Sequence, residues 1–296
     1  MLGRLLKDVL RHKAKELGAA ISPDGWMAVN DALEYVNSFG HSYGEAEVRE
    51  EVANNPKRRF QLQDTQVGLL FIRAAQGHSM AGVGEEMGEV LTRAKAPRVA
   101  VHGTYLRNLD TILSEGLSKM GRHHVHLASG LLGEPGVVSG MRKNTEVYVW
   151  VNVHAAMDSG IRFFETSNGV ILCEGIDGKL PPSFFSVVIE LRGGLVLSAP
   201  QLRLVERLFA GCSRVTIKKM HGGFSGSLVL RTDSYDADGH PEEPTVTKVD
   251  DGPAMLREVQ ETRFIADIAG SDAIRVLRGP IYINMIGEPV EIAMPD

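Results

Sequence analysis

From Val99 onward the chain alternates short apolar runs with glycine- and polar-rich breaks: Val99 to His102, His124 to Ala128, Val147 to Val153, Val170 to Cys173 and Phe185 to Glu190. Runs this short, bounded by turn formers, predict β-strands rather than the helices of a bundle. Among them only Leu109 to Glu115 has helical character. Residues 97–190 are therefore expected to form a mostly β lobe with one or two helices.

The preceding stretch is of another kind. Leu6, Val9, Leu10, Ala14 and Leu17 recur at helical spacing, which predicts an amphipathic helix over Leu5 to Leu17 carrying Arg11, His12 and Lys13. Ser22-Pro23-Asp24-Gly25 reads as a turn, Val29 to Phe39 and Tyr43 to Asn54 as two further helices. Phe60 to Gln63 and Leu69 to Arg73 read as a small hairpin. Three short helices followed by a hairpin describe a winged-helix-like lobe over residues 1–80. Ala81 to Pro97, rich in Gly, Glu and Ala, suits an interlobe linker.

A third segment, residues 198–296, predicts a separate α+β unit: a helix at Gln201 to Phe209, a strand at Arg214 to Lys219, a glycine-rich stretch and a strand reaching Arg231. An acidic loop (Asp233 to Pro244), a strand (Thr245 to Val249), a helix (Met255 to Ile268) and two closing strands follow. The whole chain is thus expected to be α+β, and 296 residues suit two or three domains.

Charge and cysteine content narrow the chemistry. The net charge of −5 gives no bulk positive field for nonspecific nucleic-acid binding, so any grip on RNA must be local. Cys173 and Cys212 are too few for a disulfide framework and show no zinc spacing; both read as reduced and buried. Neither a signal segment nor an apolar run of the ~18 residues a membrane helix needs is visible, so no membrane association and a cytoplasmic or nuclear location are expected.

Several residues carry chemistry only if they converge. Arg11 and His12 are adjacent on the first helix, Arg73 ends the hairpin, and Arg142 follows Ser139-Gly140-Met141. Three guanidiniums and an imidazole around one point would hold a dianionic phosphate, because arginine offers permanent charge and paired donors. Taken singly, each is an ordinary surface arginine. His102-Gly103-Thr104 ends a strand where glycine lets a ligand approach the backbone. Strand alternation places His124 and His126 on one face, but no carboxylate or cysteine joins them, so no metal is expected; His126 also suits a satisfied core position.

In order along the chain, Leu10-Arg11-His12-Lys13, Asn54 to Phe60, Ile72-Arg73-Ala74-Ala75-Gln76-Gly77-His78-Ser79, His102 to Tyr105, Glu115-Gly116-Leu117, His123 to Ala128, Ser139 to Arg142 and Ser167 to Val170 resemble the KptA-type RNA 2'-phosphotransferases. The resemblance covers roughly residues 4–190. It implies an N-terminal winged-helix-like RNA lobe and an ADP-ribosyltransferase-like lobe that binds NAD. Such enzymes remove an internal 2'-phosphate from RNA, as left on tRNA by splicing ligation, in two steps. The phosphate displaces nicotinamide from NAD, and the ribose 2''-hydroxyl then attacks phosphorus to release repaired RNA and ADP-ribose 1'',2''-cyclic phosphate. By position the resemblance assigns the phosphate to Arg11, His12, Arg73 and Arg142, and NAD to His102, Gly103, Thr104, His126, Ser139 and Val170. It implies a monomer and requires no metal. Ala75 departs from the family's usual Asn, and Asp64 to Leu69 also looks altered.

Two rival functions follow. An ADP-ribosyltransferase could modify nucleic-acid phosphates and stop after the first step, leaving a stable adduct. A catalytically silent RNA-binding or scaffold protein is suggested by Ala75 and the tail, and opposed by intact Arg11, His12, Arg73 and Arg142. In the tail, His221 to Ser227, Lys248 and Glu258 resemble the small lobe of kinase-like phosphotransferases, here truncated, over about residues 200–296. A plain hairpin with a glycine turn fits the same residues. No catalytic loop or metal motif follows Glu258, so no kinase activity is expected.

Overall fold

The computed structural model describes residues 1–142, 144–220 and 228–250. In chain order it contains α1 (Leu2–Asp8), a π-turn (Val9–Lys13), β1 (Met27–Ala28), α2 (Val29–Asn37), α3 (Glu45–Ala53), β2 (Phe60–Asp64) and β3 (Leu70–Ala74). Next come β4 (Glu89–Val90), β5 (Val99–Thr104), α4 (Leu109–Glu115), β6 (Leu117–Ser118), β7 (Val125–Ala128), β8 (Val147–Asn152), α5 (Val153–Asp158), β9 (Phe163–Glu165) and β10 (Val170–Cys173). β11 (Lys179–Leu180), β12 (Phe185–Arg192), α6 (Ala199–Leu208), β13 (Arg214–Lys219), β14 (Leu228–Tyr235) and β15 (Thr245–Val249) complete it. The fold is mixed α+β with a large, mostly antiparallel sheet. Among the described residues no helix is long and apolar enough to cross a membrane.

Two compact units emerge. The first takes Met1–His102, Arg107–Lys143 and Val151–Phe184; the second takes Gly103–Leu106, Asn144–Trp150 and the chain from Phe185 onward.

In the first unit, α1 to α3 pack on a small sheet of order β1-β3-β2. Alternation along β3 buries Leu70, Ile72 and Ala74 and leaves Phe71 and Arg73 half-buried. These residues join Leu6, Val9, Leu10, Val36 and Val48 in one core. Burying a side chain such as Leu6 or Leu10 contributes about 1.5–3 kcal/mol. β1 escapes sequence reading because two residues carry no period; its pairing of Met27 with Ile72 defines it. The single helix expected over Leu5 to Leu17 is instead α1 running into the π-turn, where Ala14 N–H bonds Val9 O at 3.0 Å.

Residues 81–97 are not a free tether. Val83, Met87 and Leu91 are buried, and Val90 pairs with Phe164 across β4 and β9. The glycines signalled turns, while the spaced apolar residues between them found a core. The unit's larger strand set has the order β5-β7-β10-β9-β4, with every residue of β10 buried.

The second unit orders its strands β8-β12-β13-β14-β15. β12 and β13 are parallel, Ile189 opposite Val215, with α6 as the connecting helix. Ser198 and Gln201 cap α6 reciprocally, which places its start two residues before the expected Gln201. β14 runs to Tyr235, so Asp233 is a strand residue rather than part of an acidic loop: Thr216 pairs with it across the ladder. Cys173 and Cys212 are both free and buried. The glycine-rich residues 221–227, Glu258, the expected helix at 255–268 and the closing strands lie outside the described residues.

Candidate active site

The π-turn is the local event that builds the site. Such turns break the regular ladder of a helix and recur where a side chain must be re-aimed. Here the Arg11 carbonyl accepts the Ser79 N–H at 3.0 Å, tying the turn to the loop after β3. The Arg11 side chain points inward and is only 7% exposed. Its Nε and Nη2 are buried without a hydrogen-bond partner, and among the described residues no carboxylate pairs with it. Gly77 makes room: at φ 89° it holds a left-handed conformation, and a Cβ there would lie 3.1 Å from Arg11 Nη1.

What surrounds Arg11 is more positive charge. Burial lowers its guanidinium to about 10, and Arg122 and Arg59 push the same way. The group still carries its charge at neutral pH, in the field of two further cations and with no acid pairing it among the described residues. Asn55 holds Arg59, its Oδ1 accepting Arg59 N–H at 3.2 Å, while the Arg59 carbonyl accepts Ala75 N–H at 2.8 Å. Arg122 sits in a turn closed by its N–H to Lys119 O at 3.1 Å. Burial lowers its pKa, and Arg142 adds to the effect.

His12 adjoins this cluster. Its Nδ1 lies 2.8 Å from Ser79 Oγ. Burial and then the Arg11 charge hold the imidazole below its ordinary 6.5, with Asp8 opposing, so the ring is neutral at pH 7.

Backbone carbonyls fix two more histidines. His102 Nδ1 donates to His126 O at 2.9 Å, and His126 Nδ1 donates to His124 O at 2.9 Å. Since a carbonyl can only accept, both neutral rings carry their proton on Nδ1 and leave Nε2 as an acceptor. Burial lowers both pKa values, that of His126 to about 3. His126 Nε2 is buried without a partner. His123 Nε2 likewise meets a backbone carbonyl, Met80 O at 3.0 Å.

The remaining expected residues are divided between the two units. Val170 is buried opposite Ala128, and Gly140 packs onto Ala128 so closely that a Cβ would lie 2.7 Å from the Ala128 Cβ. This contact seats buried Ser139 and the exposed Arg142, whose charge reaches His102 and Arg122. Lys57 braces the same loop, donating from Nζ to Met141 O at 3.1 Å, and its own carbonyl accepts Asn168 Nδ2 at 3.0 Å. Gly103 and Thr104 continue β5 in the second unit, where the Thr104 carbonyl accepts Glu146 N–H at 2.9 Å.

Arg73 is placed differently. Its Nε donates to Gln61 Oε1 at 2.7 Å, its guanidinium lies 4.5 Å from the Trp26 ring centroid, and Nη1 reaches Asp24 O at 3.3 Å. Its charge acts on His78. The structure thus brings together Arg11, His12, Arg59 and Arg122, borders them with Arg142, and sets Arg73 against an acid and an aromatic ring. Arg59 and Arg122 were not singled out from sequence. Arg59 lies inside the quoted Asn54 to Phe60 stretch and Arg122 immediately precedes His123, so the sequence signal was a cation within one quoted motif and beside another. Chemically, such guanidiniums beside a neutral imidazole offer the permanent charge and paired donors that a tetrahedral dianion could use.

A match to the family described as RNA 2'-phosphotransferase, Tpt1 / KptA family, spans residues 1–175. Among similar proteins are the tRNA 2'-phosphotransferase 1 of Bos taurus, 44% identical over 194 residues, covering 64% of this chain and 75% of the relative. The Homo sapiens tRNA 2'-phosphotransferase 1 is 41% identical over 194 residues, covering 64% and 76%. A probable RNA 2'-phosphotransferase of Pseudomonas savastanoi is 32% identical over 175 residues, covering 59% and 88%. These matches give the kinase-like reading of residues 200–296 no support.

Proposed function

Because the chain belongs to the RNA 2'-phosphotransferase, Tpt1 / KptA family, we propose that it removes an internal 2'-phosphate from spliced tRNA with NAD as co-substrate. The observation that carries this reading is buried Arg11, whose Nε and Nη2 have no partner and on which half-buried Arg59 and exposed Arg122 act as further cations, with no acid pairing it among the described residues. A buried unpaired cation is costly, and an incoming dianion offsets that cost. The cluster is specific to a multiply charged tetrahedral group because three guanidiniums would repel one another around anything less.

The residues present also fit NAD. Acceptor nitrogens at His102 and His126, with buried His126 Nε2 unpartnered, suit ribose hydroxyls, and the glycine-seated loop at Ser139 to Arg142 adds a cation beside them. When bound, NAD supplies an electrophilic ribose carbon and a leaving group that departs neutral. The site therefore needs no carboxylic acid near the phosphate, and a carboxylate there would repel it. Arg11, Arg59 and Arg122 hold the phosphate and stabilise charge building on its oxygens in the transfer to ribose. His12, neutral with Nδ1 on Ser79, orients the phosphate or moves a proton at Nε2.

The finer architecture belongs to the same proposal. Residues 1–80 act as a winged-helix-like RNA lobe and residues 97–190 as an ADP-ribosyltransferase-like lobe, in a monomer working in the cytoplasm or nucleus. Residues 198–296 are an accessory unit whose kinase-like reading rests on sequence pattern alone. The test is an oligonucleotide with one internal 2'-phosphate, incubated with and without NAD. Phosphate release and cyclic phosphorylated ADP-ribose are expected only with NAD. A stable ADP-ribosylated RNA, or no NAD-dependent release, overturns the reading.

A further inference from the structure

The hydroxyl of Ser79 is the one side-chain contact of His12, at 2.8 Å from Nδ1, among the described hydrogen bonds. The same serine is fixed from behind, since its backbone N–H donates to the Arg11 carbonyl at 3.0 Å. One residue therefore grips both members of the Arg11-His12 pair, the first through its peptide and the second through its ring. We propose that Ser79 is a positioning residue that locks the His12 imidazole with Nδ1 turned away, leaving Nε2 as the only ring nitrogen that meets the substrate. This rests on the function proposed above and deepens it.

The physical need is clear from the surroundings. A neutral imidazole can flip about its χ2 bond and exchange tautomers, and each wrong state presents a carbon or the wrong nitrogen. The charged groups acting on the ring are Arg11, Asp8, Arg122 and Lys7. None of them hydrogen-bonds it among the described contacts, so they bias its protonation without setting its orientation. Nor can the helix supply the lock, because the π-turn has surrendered the Arg11 carbonyl to Ser79. A serine hydroxyl suits the task, since it donates to one tautomer and accepts from the other while holding the ring plane.

Three measurements on the full chain test this. Ser79→Ala is expected to lower kcat about 10-fold, the worth of one hydrogen bond at the upper end of its usual range, while the KM for NAD changes less than about twofold. Ser79→Thr, which keeps the hydroxyl, is expected to recover most of that loss. Nitrogen-resolved NMR of the His12 ring is expected to show the Nδ1 signal shifted in Ser79→Ala, where its hydrogen bond is lost, and near its wild-type position in Ser79→Thr. An unchanged kcat in Ser79→Ala, a Thr variant as slow as Ala, or an unchanged Nδ1 signal in Ser79→Ala overturns the assignment. Wild-type NAD-dependent phosphate release, run alongside, tests the underlying function separately: if it fails, the function falls, whereas the ring spectra still judge Ser79.

Discussion

The molecule buries a charge in two places and treats it in opposite ways. In the first unit, Arg11 faces Arg59 and Arg122 with no acid partner among the described residues. In the second, Glu190 is 1% exposed, receives Arg192 Nη2 at 2.6 Å, and forms an ion pair with Arg214 Nε at 3.3 Å. Arg214 also lies over the Tyr235 ring, 4.0 Å from its centroid. The second cluster is neutralised and belongs to the fold. The first is left short of negative charge, the condition that the proposed phosphate would relieve. A buried pair is costly to break, whereas a buried unpaired cation costs stability until its ligand arrives.

This contrast can be broken most decisively at Arg11. Arg11→Met is expected to lower phosphate-release turnover by roughly 1,000-fold, about 4 kcal/mol, without lowering the urea midpoint, because no intramolecular pair is lost. A clear loss of stability would make Arg11 structural. Glu190→Ala should do the reverse, costing about 3 kcal/mol in urea unfolding by stranding two arginines, with the kcat of the folded fraction unchanged.

Acidification supplies a third test. His78 and His126 are held neutral by burial, each with a folded pKa of about 3 against about 6.5 when unfolded. The unfolded chain binds more protons between these values, so stability is full above pH 6.5 and falls progressively as pH drops towards 3. The loss should reach a few kcal/mol, read from urea midpoints at pH 7, 5 and 4, and His78→Leu should flatten the slope. A midpoint independent of pH in this window would contradict the buried neutral state.

Gly140→Ala should cost about 10-fold in kcat, since a Cβ 2.7 Å from Ala128 Cβ on a backbone at φ 103° displaces the loop that carries Arg142. Wild-type kinetics in that variant would detach the loop from catalysis. The smallest effect is expected at Arg73. Arg73→Ala should lose about 1 kcal/mol of stability through Trp26, Gln61 and Asp24, and less turnover than Arg122→Ala. A turnover loss in Arg73→Ala equal to that in Arg122→Ala would restore Arg73 to the phosphate site.

Much of the architecture is legible without coordinates. The Leu109–Glu115 helix and the Val170–Cys173 and Thr245–Val249 strands follow from periodicity and turn residues alone. Arg11 and His12 are visible as a pair in a sequence motif. Elements such as β1 and β4, two residues each, are hidden because a ladder partner rather than a local pattern makes them strands. The π-turn is hidden for a related reason: its apolar spacing is that of an ordinary helix, and the carbonyl it frees is taken by Ser79, 68 positions from Arg11 in sequence.

Sequence by itself determined the family, the chemistry of a phosphate grip and the need for it to be local in a chain of net charge −5. Which charges act on which groups was decided by tertiary structure. Arg73 stands in β3 and Arg59 just before β2, with the same side chain, yet one meets Trp26 and Asp24 while the charge of the other acts on Arg11. A guanidinium's role is set by what it can reach once the chain has folded, and reach is a property of distance in space, which residue order does not encode.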